Sequence, residues 1–256
     1  MRIHRVRSTD LLLAVMGVAT LLVVWEALGR SGVVPRSSLP SPLAVARGVP
    51  VLLGDADFRH GVVDTVISWL TTIGVGSAAA IVIGLVTSSI PMLQKPTELV
   101  VNTFRAVPAT ALIPIAVLVF GLGTQMKVSV AVYAIFWPIL INAIYGVAST
   151  EPMRLDAARS MRWPWWRRQV FVTLPSAVPS ILTGVRVGVG IALIVIISTE
   201  LLGARYGVGT VLVQYTQANR PDVVYAGVLL LGVFGAFVFS LLLKAEQRLV
   251  RWGNVG

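Results

Sequence analysis

Six continuous apolar runs, at residues 11–28, 68–90, 100–122, 128–147, 181–202 and 223–243, constrain this chain more than any other feature. Each is close to the ~20 residues a helix needs to cross about 30 Å of hydrocarbon. None shows the ten-residue alternation of a transmembrane β-strand. Composition agrees: 56% of residues are hydrophobic and 12% charged, against about 45–50% and about 25% in a soluble domain. Too little polar surface remains to wrap a water-facing globule, so the apolar excess must face lipid. The sequence therefore predicts an all-α integral membrane protein with about six transmembrane helices. A single domain over 1–256 is expected: a first helix at 10–28, an outer segment at 29–67 and a core at 68–252. The first run continues into Trp25 and Glu26 without a small-residue cleavage site, so it reads as a retained helix.

The net charge of +10 is topological. Basic residues gather at the ends of the apolar runs, and no aromatic-studded basic stretch is present to read nucleic acid. Six spans put both termini on one side, with the loops after the second and fourth spans. That side holds fourteen of the 21 Lys and Arg residues and the other holds seven, which makes the termini cytoplasmic. Glu26 beside Trp25 is expected at an interfacial aromatic belt, and Arg186, in the first turn of the fifth span, is expected to snorkel to the inner headgroups. The outer segment opens with Pro35, Pro40 and Pro42, and its stretch 45–53 is expected to lie against the outer membrane face.

Several chemistries are excluded. There is no cysteine, hence no disulfide or thiolate chemistry. His4 and His60 are the only histidines, and neither lies near a carboxylate cluster in a span, so no metal site is expected. A phosphate-cradling G-x-x-x-x-G-K-[ST] motif is absent. The sparse acids supply no catalytic constellation. The chain is not expected to be an enzyme or to bind a cofactor.

The loop at 148–180, before the fifth span, is the most basic part of the protein. Asp156 places a carboxylate near the start of a short expected helix, where Ala157 and Ala158 offer a nearly bare face able to enter a groove closely. Pro164 suits the first turn of a second helix carrying Trp165, Trp166, Val170 and Phe171. Leu174 and Pro175 are expected to end it and turn the chain into the fifth span.

At these residues the chain resembles the ABC import permeases. Their signature is Glu-Ala-Ala, three residues, Gly, nine residues, then Ile-x-Leu-Pro. Asp156, Ala157 and Ala158 fill the start, and Val172, Leu174 and Pro175 fall at the required spacing. Arg162 occupies the glycine position, where positive φ strains other residues by about 1–2 kcal/mol. Either the turn is built differently, or Arg162 contacts the partner or lipid phosphates. Leu39-Pro40-Ser41-Pro42, Arg105-Ala106-Val107-Pro108, Phe136-Trp137-Pro138 with Asn142, and Glu200-Leu201-Leu202-Gly203 resemble the nitrate, sulfonate and taurine branch. The likeness runs from Leu39 to Trp252.

The resemblance implies a type I ABC importer permease architecture in the bacterial cytoplasmic membrane. It implies a coupling role for the loop, docked on a cytoplasmic ATPase present in two copies that carries the ATP and Mg. It also implies a second copy of this permease, an extracytoplasmic substrate-binding protein, and a small anion, sulfonate or related small solute as cargo. A self-contained channel or secondary transporter and an intramembrane enzyme are the rival readings; no internal repeat supports the former. Glu200, near the outer end of the fifth span, either lines the path, reaches the outer interface or pairs with Arg205. Asn142 either bridges helices or lines the path. Pro108, Pro114 and Pro138 are expected to kink their helices and free carbonyls toward a polar cavity. Gly74, Gly76, Gly84, Gly184, Gly188 and Gly190 are expected at close helix contacts.

Overall fold

A computed structural model describes residues 8–31, 35 and 38–249. Arg2, Arg5, Arg7, Arg36, Arg251, His4 and the core boundary at Trp252 lie outside these residues. Eleven α-helices and no strand occur among the described residues. They are α1 Ser8–Arg30, α2 Pro42–Gly54, α3 Ala56–Ser89, α4 Pro91–Phe104, α5 Ile113–Phe120, α6 Thr124–Ala148, α7 Pro152–Ser160, α8 Trp165–Arg168, α9 Leu174–Leu202, α10 Val208–Gln217 and α11 Pro221–Leu249.

Four continuous helical runs among the described residues are long and apolar enough to cross a membrane: α3, α6, Trp165–Leu202 and Pro221–Glu246. The predicted third span, 100–122, is not one helix. Met92–Phe104 and Ala109–Phe120 form a pair bent by 80°. Pro108 is the cause: it is extended (ψ 123°) and is followed by a 3-10 turn at Ala109–Leu112, because proline forbids the helical bond and disfavours helix before it. The predicted first span falls on α1, whose 23 residues extend about 34 Å. The second span begins earlier than its apolar run, since α3 carries Asp57, Arg59, His60 and Asp64 in its first turns.

The chain divides into two compact units. In the first, formed by residues up to Arg59 with 211–232, Ser41 caps α2 by accepting from Ala44 N at 3.2 Å. The 45–53 stretch is helical, with Val45 and Leu52 buried. Gly48 lies against the Asp222 carbonyl, where a Cβ would approach to 2.8 Å. Trp25 donates from Nε1 to Pro40 O at 3.0 Å, and Tyr225 donates from its hydroxyl to Ser38 O at 3.0 Å. Tyr215 donates to Asp55 at 2.7 Å. That bond holds the Asp55 carboxyl below the usual carboxylate range and pushes the Tyr215 phenol up. Glu26 pairs with Arg30 at 2.5 Å.

The second unit, 60–210 with the chain from Val233, is built on α6 and α9, which pack along most of their length. Met126, Ile135, Ile139, Leu140, Ala192 and Ile196 fill the contact and are fully buried. Gly184 faces Asn142, where an added Cβ would stand 2.6 Å from the Asn142 Cβ. Small residues allow this approach between spans. Gly76, Gly84 and Gly188 likewise meet side chains, whereas Gly74 and Gly190 face open space, so those two do not make the expected contacts. Arg186 does not stand in the first turn of α9. Helix starts well before the apolar run, and Arg186 pairs with Glu246 of α11 at 2.7 Å, half-shielded on both sides.

Candidate functional site

Residues 149–173 emerge from one end of α6 and return into α9. Glu151 precedes α7 and Pro152 occupies its first turn, a place where the missing N–H costs nothing. The helix thus starts earlier than expected and Asp156 lies at its middle, exposed and paired with Arg159 at 3.0 Å. At such exposure the pair contributes about 0–1 kcal/mol. Ala157 is exposed, but Ala158 is buried within the chain at 1%. Ala158 therefore cannot serve as the bare docking face expected of it. It packs inward, and the open surface is Asp156 and Ala157 with Met153.

The turn after α7 explains the signature glycine. Trp163 N donates to Ala158 O at 3.1 Å and Arg162 N to Arg159 O at 2.8 Å, the paired bonds of a Schellman cap. This cap needs a left-handed residue, and Arg162 supplies it at φ 54°. The turn is built as the glycine would build it, and the arginine carries the strain. Trp163, next in line, is covered by the Arg167 guanidinium 5.0 Å from its ring and by Phe171 edge-on at 6.3 Å.

Leu174 and Pro175 do not end a helix. Residues 169–173 form a π-turn, with Leu174 N donating to Gln169 O, and helix runs from Trp165 to Leu202. Proline inside an α-helix loses its bond and collides with the carbonyl four residues back. The wider π-turn before Pro175 accommodates it. Within it Val172 is half-buried and Thr173 buried, while Leu174 and Pro175 are exposed.

At the opposite end of the unit lies a buried ion network. Glu200, fully buried, accepts from Lys127 Nζ at 3.0 Å, Thr65 Oγ1 at 2.8 Å and Gly209 N at 3.0 Å. Lys127, equally buried, also donates to Asp64 and to Tyr206 O at 3.0 Å. All three ammonium protons have acceptors. Gly207, at φ 133°, lies so close to the Glu200 carboxylate that a Cβ would overlap it at 2.1 Å. The partner of Glu200 is Lys127 rather than Arg205, which among the described residues stays exposed with only its main-chain N–H engaged, to Leu122 O at 3.0 Å. Sequence reasoning missed Lys127, Asp64 and Thr65. The available signal was a lysine beginning an apolar run.

Asn142 lies at the α6–α9 contact, but its amide donates within its own helix, to Pro138 O at 2.8 Å. The bridge is the reverse bond, from Ser180 Oγ to the Asn142 main-chain oxygen at 2.8 Å. Pro138 stays inside the unbroken α6, and Pro108 is exposed at the bend.

A cleft of about 380 Å³ opens at the loop end of α3 and α6 against α4. Gln94, Glu98, Asn102 and Arg105 line it from one face of α4, with Thr97 beside them, Ser88 from α3 and Tyr145 from α6. Among the described residues no group of three or more His, Cys, Asp or Glu side chains is placed to hold a metal.

Residues 76–251 match the family of binding-protein-dependent transport system inner membrane components. The chain belongs to this family. Its curated relatives include the putative aliphatic sulfonates transport permease protein of Bacillus subtilis, 28% identical over 92% of this chain and 86% of that protein. The taurine transport system permease protein of Escherichia coli is 30% identical over 96% and 91%. The crystal structure of an amino acid ABC transporter with histidines superposes with a TM-score of 0.62 at 13% identity, covering 82% of this chain and 97% of that one, and shares the fold. As a family member the chain is an ABC importer permease of the sulfonate, taurine and nitrate branch, a multi-pass protein of the inner membrane.

Proposed function

We propose that this permease moves a small oxyanion, of the sulfonate class, across the inner membrane, driven by a separate ATPase that docks on residues 149–173. The observation that carries the reading is the continuous helix from Trp165 to Leu202. At about 1.5 Å per residue its 38 residues extend about 57 Å, so a displacement at the exposed loop is delivered into a span without an intervening hinge. Asp156 and Ala157 form the contact surface, and the Schellman turn at Arg162 fixes α7 relative to α8. The loop end is then cytoplasmic, as the Lys and Arg bias requires. The ion network lies at the outer end, and the binding protein delivers cargo there. ATP and Mg belong to the ATPase, and two permease copies with two ATPases complete the assembly. The cargo class rests on the relatives named for aliphatic sulfonates and taurine.

The experiment uses Asp156→Lys and Ala157→Trp in the full complex. Reversing the charge and overfilling the groove each oppose docking, and overpacking costs about 1–3 kcal/mol. Both variants are expected to insert normally, and to lose co-purification of the ATPase and ATP-driven sulfonate uptake in vesicles. Wild-type uptake by both would overturn the docking assignment.

A further inference from the structure

The cleft between α4 and the loop ends of α3 and α6 contains polar groups that the fold itself does not use. Among the described residues Arg105, which is exposed, makes no side-chain hydrogen bond or ion pair, and the side chains of Asn102, Thr97, Glu98 and Tyr145 have no hydrogen-bond partner either. Ser88 and Gln94, by contrast, are spoken for: Ser88 donates to Gly84 O at 2.6 Å and Gln94 to Ser88 O at 3.3 Å. Unused donors are thus concentrated at the Arg105 end of the cleft.

Asn102, in the last turn of α4, and Arg105, which follows its end with helical backbone angles, are three residues apart and so share a face. The same face carries Val101, which is 5% exposed, and this closes the floor between α4 and α6 with an apolar side chain. A guanidinium fork beside an amide, over an apolar floor, is the donor set that recognises a singly charged oxyanion of sulfonate or phosphate type. Glu98 also lines the cleft, but it lies seven residues before Arg105, about 10 Å along the axis. The carboxylate therefore bounds the cleft on the Thr97 side, and the donors left for an oxyanion are those at the Arg105 end.

We propose that Arg105, with Asn102, forms an oxyanion-binding site at the loop end of the permease, occupied by a sulfonate solute or by a lipid phosphate. The proposal rests on the oxyanion-cargo reading above and extends it to particular residues. With a solute as occupant, the site receives cargo at the inner end of its passage. With a headgroup as occupant, it holds α4 at the membrane surface.

The test is equilibrium binding of radiolabelled ethanesulfonate to the complete permease–ATPase complex, in nanodiscs of a phosphate-free glycolipid and, separately, of phosphatidylglycerol. In phosphate-free lipid the wild type is expected to bind saturably. Arg105→Gln is expected to weaken binding about ten- to hundredfold, the loss of one charge-assisted contact, and Arg105→Lys to recover part of it. Asn102→Ala is expected to weaken it a few-fold. Because Arg105 makes no side-chain bond among the described residues, its replacement removes no support seen there, and co-purification of the ATPase reports that each variant is folded. Equal binding in both lipids identifies the solute as occupant. Binding abolished by phosphatidylglycerol identifies the headgroup. No saturable binding in phosphate-free lipid, or wild-type affinity in Arg105→Gln, overturns the site. Uptake by the wild type, measured alongside, tests the transport reading separately: normal ATP-driven uptake together with unchanged binding in Arg105→Gln removes only this proposal.

Discussion

Arg162 holds a left-handed backbone at φ 54° because the bonds closing α7 demand it, and its side chain makes no hydrogen bond or ion pair among the described residues in return. Its main-chain N–H makes the capping bond, which any residue would supply. Arg162→Gly is expected to relieve about 1 kcal/mol of strain, offset in part by the greater freedom of glycine in the unfolded chain. Slower hydrogen exchange through residues 156–163 is the measurement. If the guanidinium serves the ATPase, the same variant loses stimulated hydrolysis while gaining local order, which separates the two roles. The buried network obeys a different arithmetic. Lys127→Met strands two carboxylates at once, and breaking a buried pair costs about 3–5 kcal/mol. Glu200→Gln still accepts from Thr65 or Gly209 and leaves Asp64 for the lysine. Thermal unfolding of the two purified variants should therefore rank Lys127→Met as the more damaging. The opposite ranking would show that Glu200 carries a burden beyond its lysine.

Among the helices, the join at 169–173 matters most, since it connects the exposed loop to a span. Pro175→Ala returns an N–H to the helix and removes the clash with the preceding turn, so the five-residue π-turn is free to relax to α. Each residue of an α-helix turns about 100°, and losing the bulge re-aims Trp165, Trp166 and the α7 surface relative to α9. The expected result is a variant that still binds ATPase but moves several-fold fewer solute molecules per ATP hydrolysed, measured in vesicles. An unchanged ratio would mean that the loop tolerates rotation about its own lever. Elsewhere, Tyr215 and Asp55 link α10 to the segment before α3. Because the Asp55 carboxyl is held below its ordinary value, its bond adds stability at neutral pH. That contribution fades as pH falls through and below about 4. Tyr215→Phe should lower the unfolding midpoint at pH 7 and converge with the wild type under acid.

Across the whole molecule, what was legible in the sequence is what depends on local length and hydropathy. Twenty apolar residues need a span whatever surrounds them, so the runs ending at Ile90, Val147, Leu202 and Leu243 fall on helices. Asp64, Lys127 and Glu200 were not legible as a group, because Lys127 meets partners 63 and 73 positions away and charge at a run's end looks the same whether buried or wet. The inward turn of Ala158 was hidden for a similar reason: alanine carries no pattern that separates a face pressed on its own chain from one offered to another. Glycines at helix contacts fall between these cases, since Gly184 and Gly190 read alike although only the first meets a neighbour. Gly184 supplies the last test. Its missing side chain lets α9 approach Asn142 of α6, where Ser180 also bonds to the Asn142 carbonyl, so the two spans are fastened at one level by shape and by a hydrogen bond. Gly184→Val inserts a branched side chain where even a Cβ would stand at 2.6 Å. The backbones must separate, at about 1–3 kcal/mol for overpacking, and the Ser180 bond is stretched with them. Gly190→Val, six residues on in open space, should cost nearly nothing by comparison. Unfolding midpoints for the pair in matched detergent decide the matter: equal effects would mean that α6 and α9 are not held together by this contact, and that the loop's movement need not be shared between them.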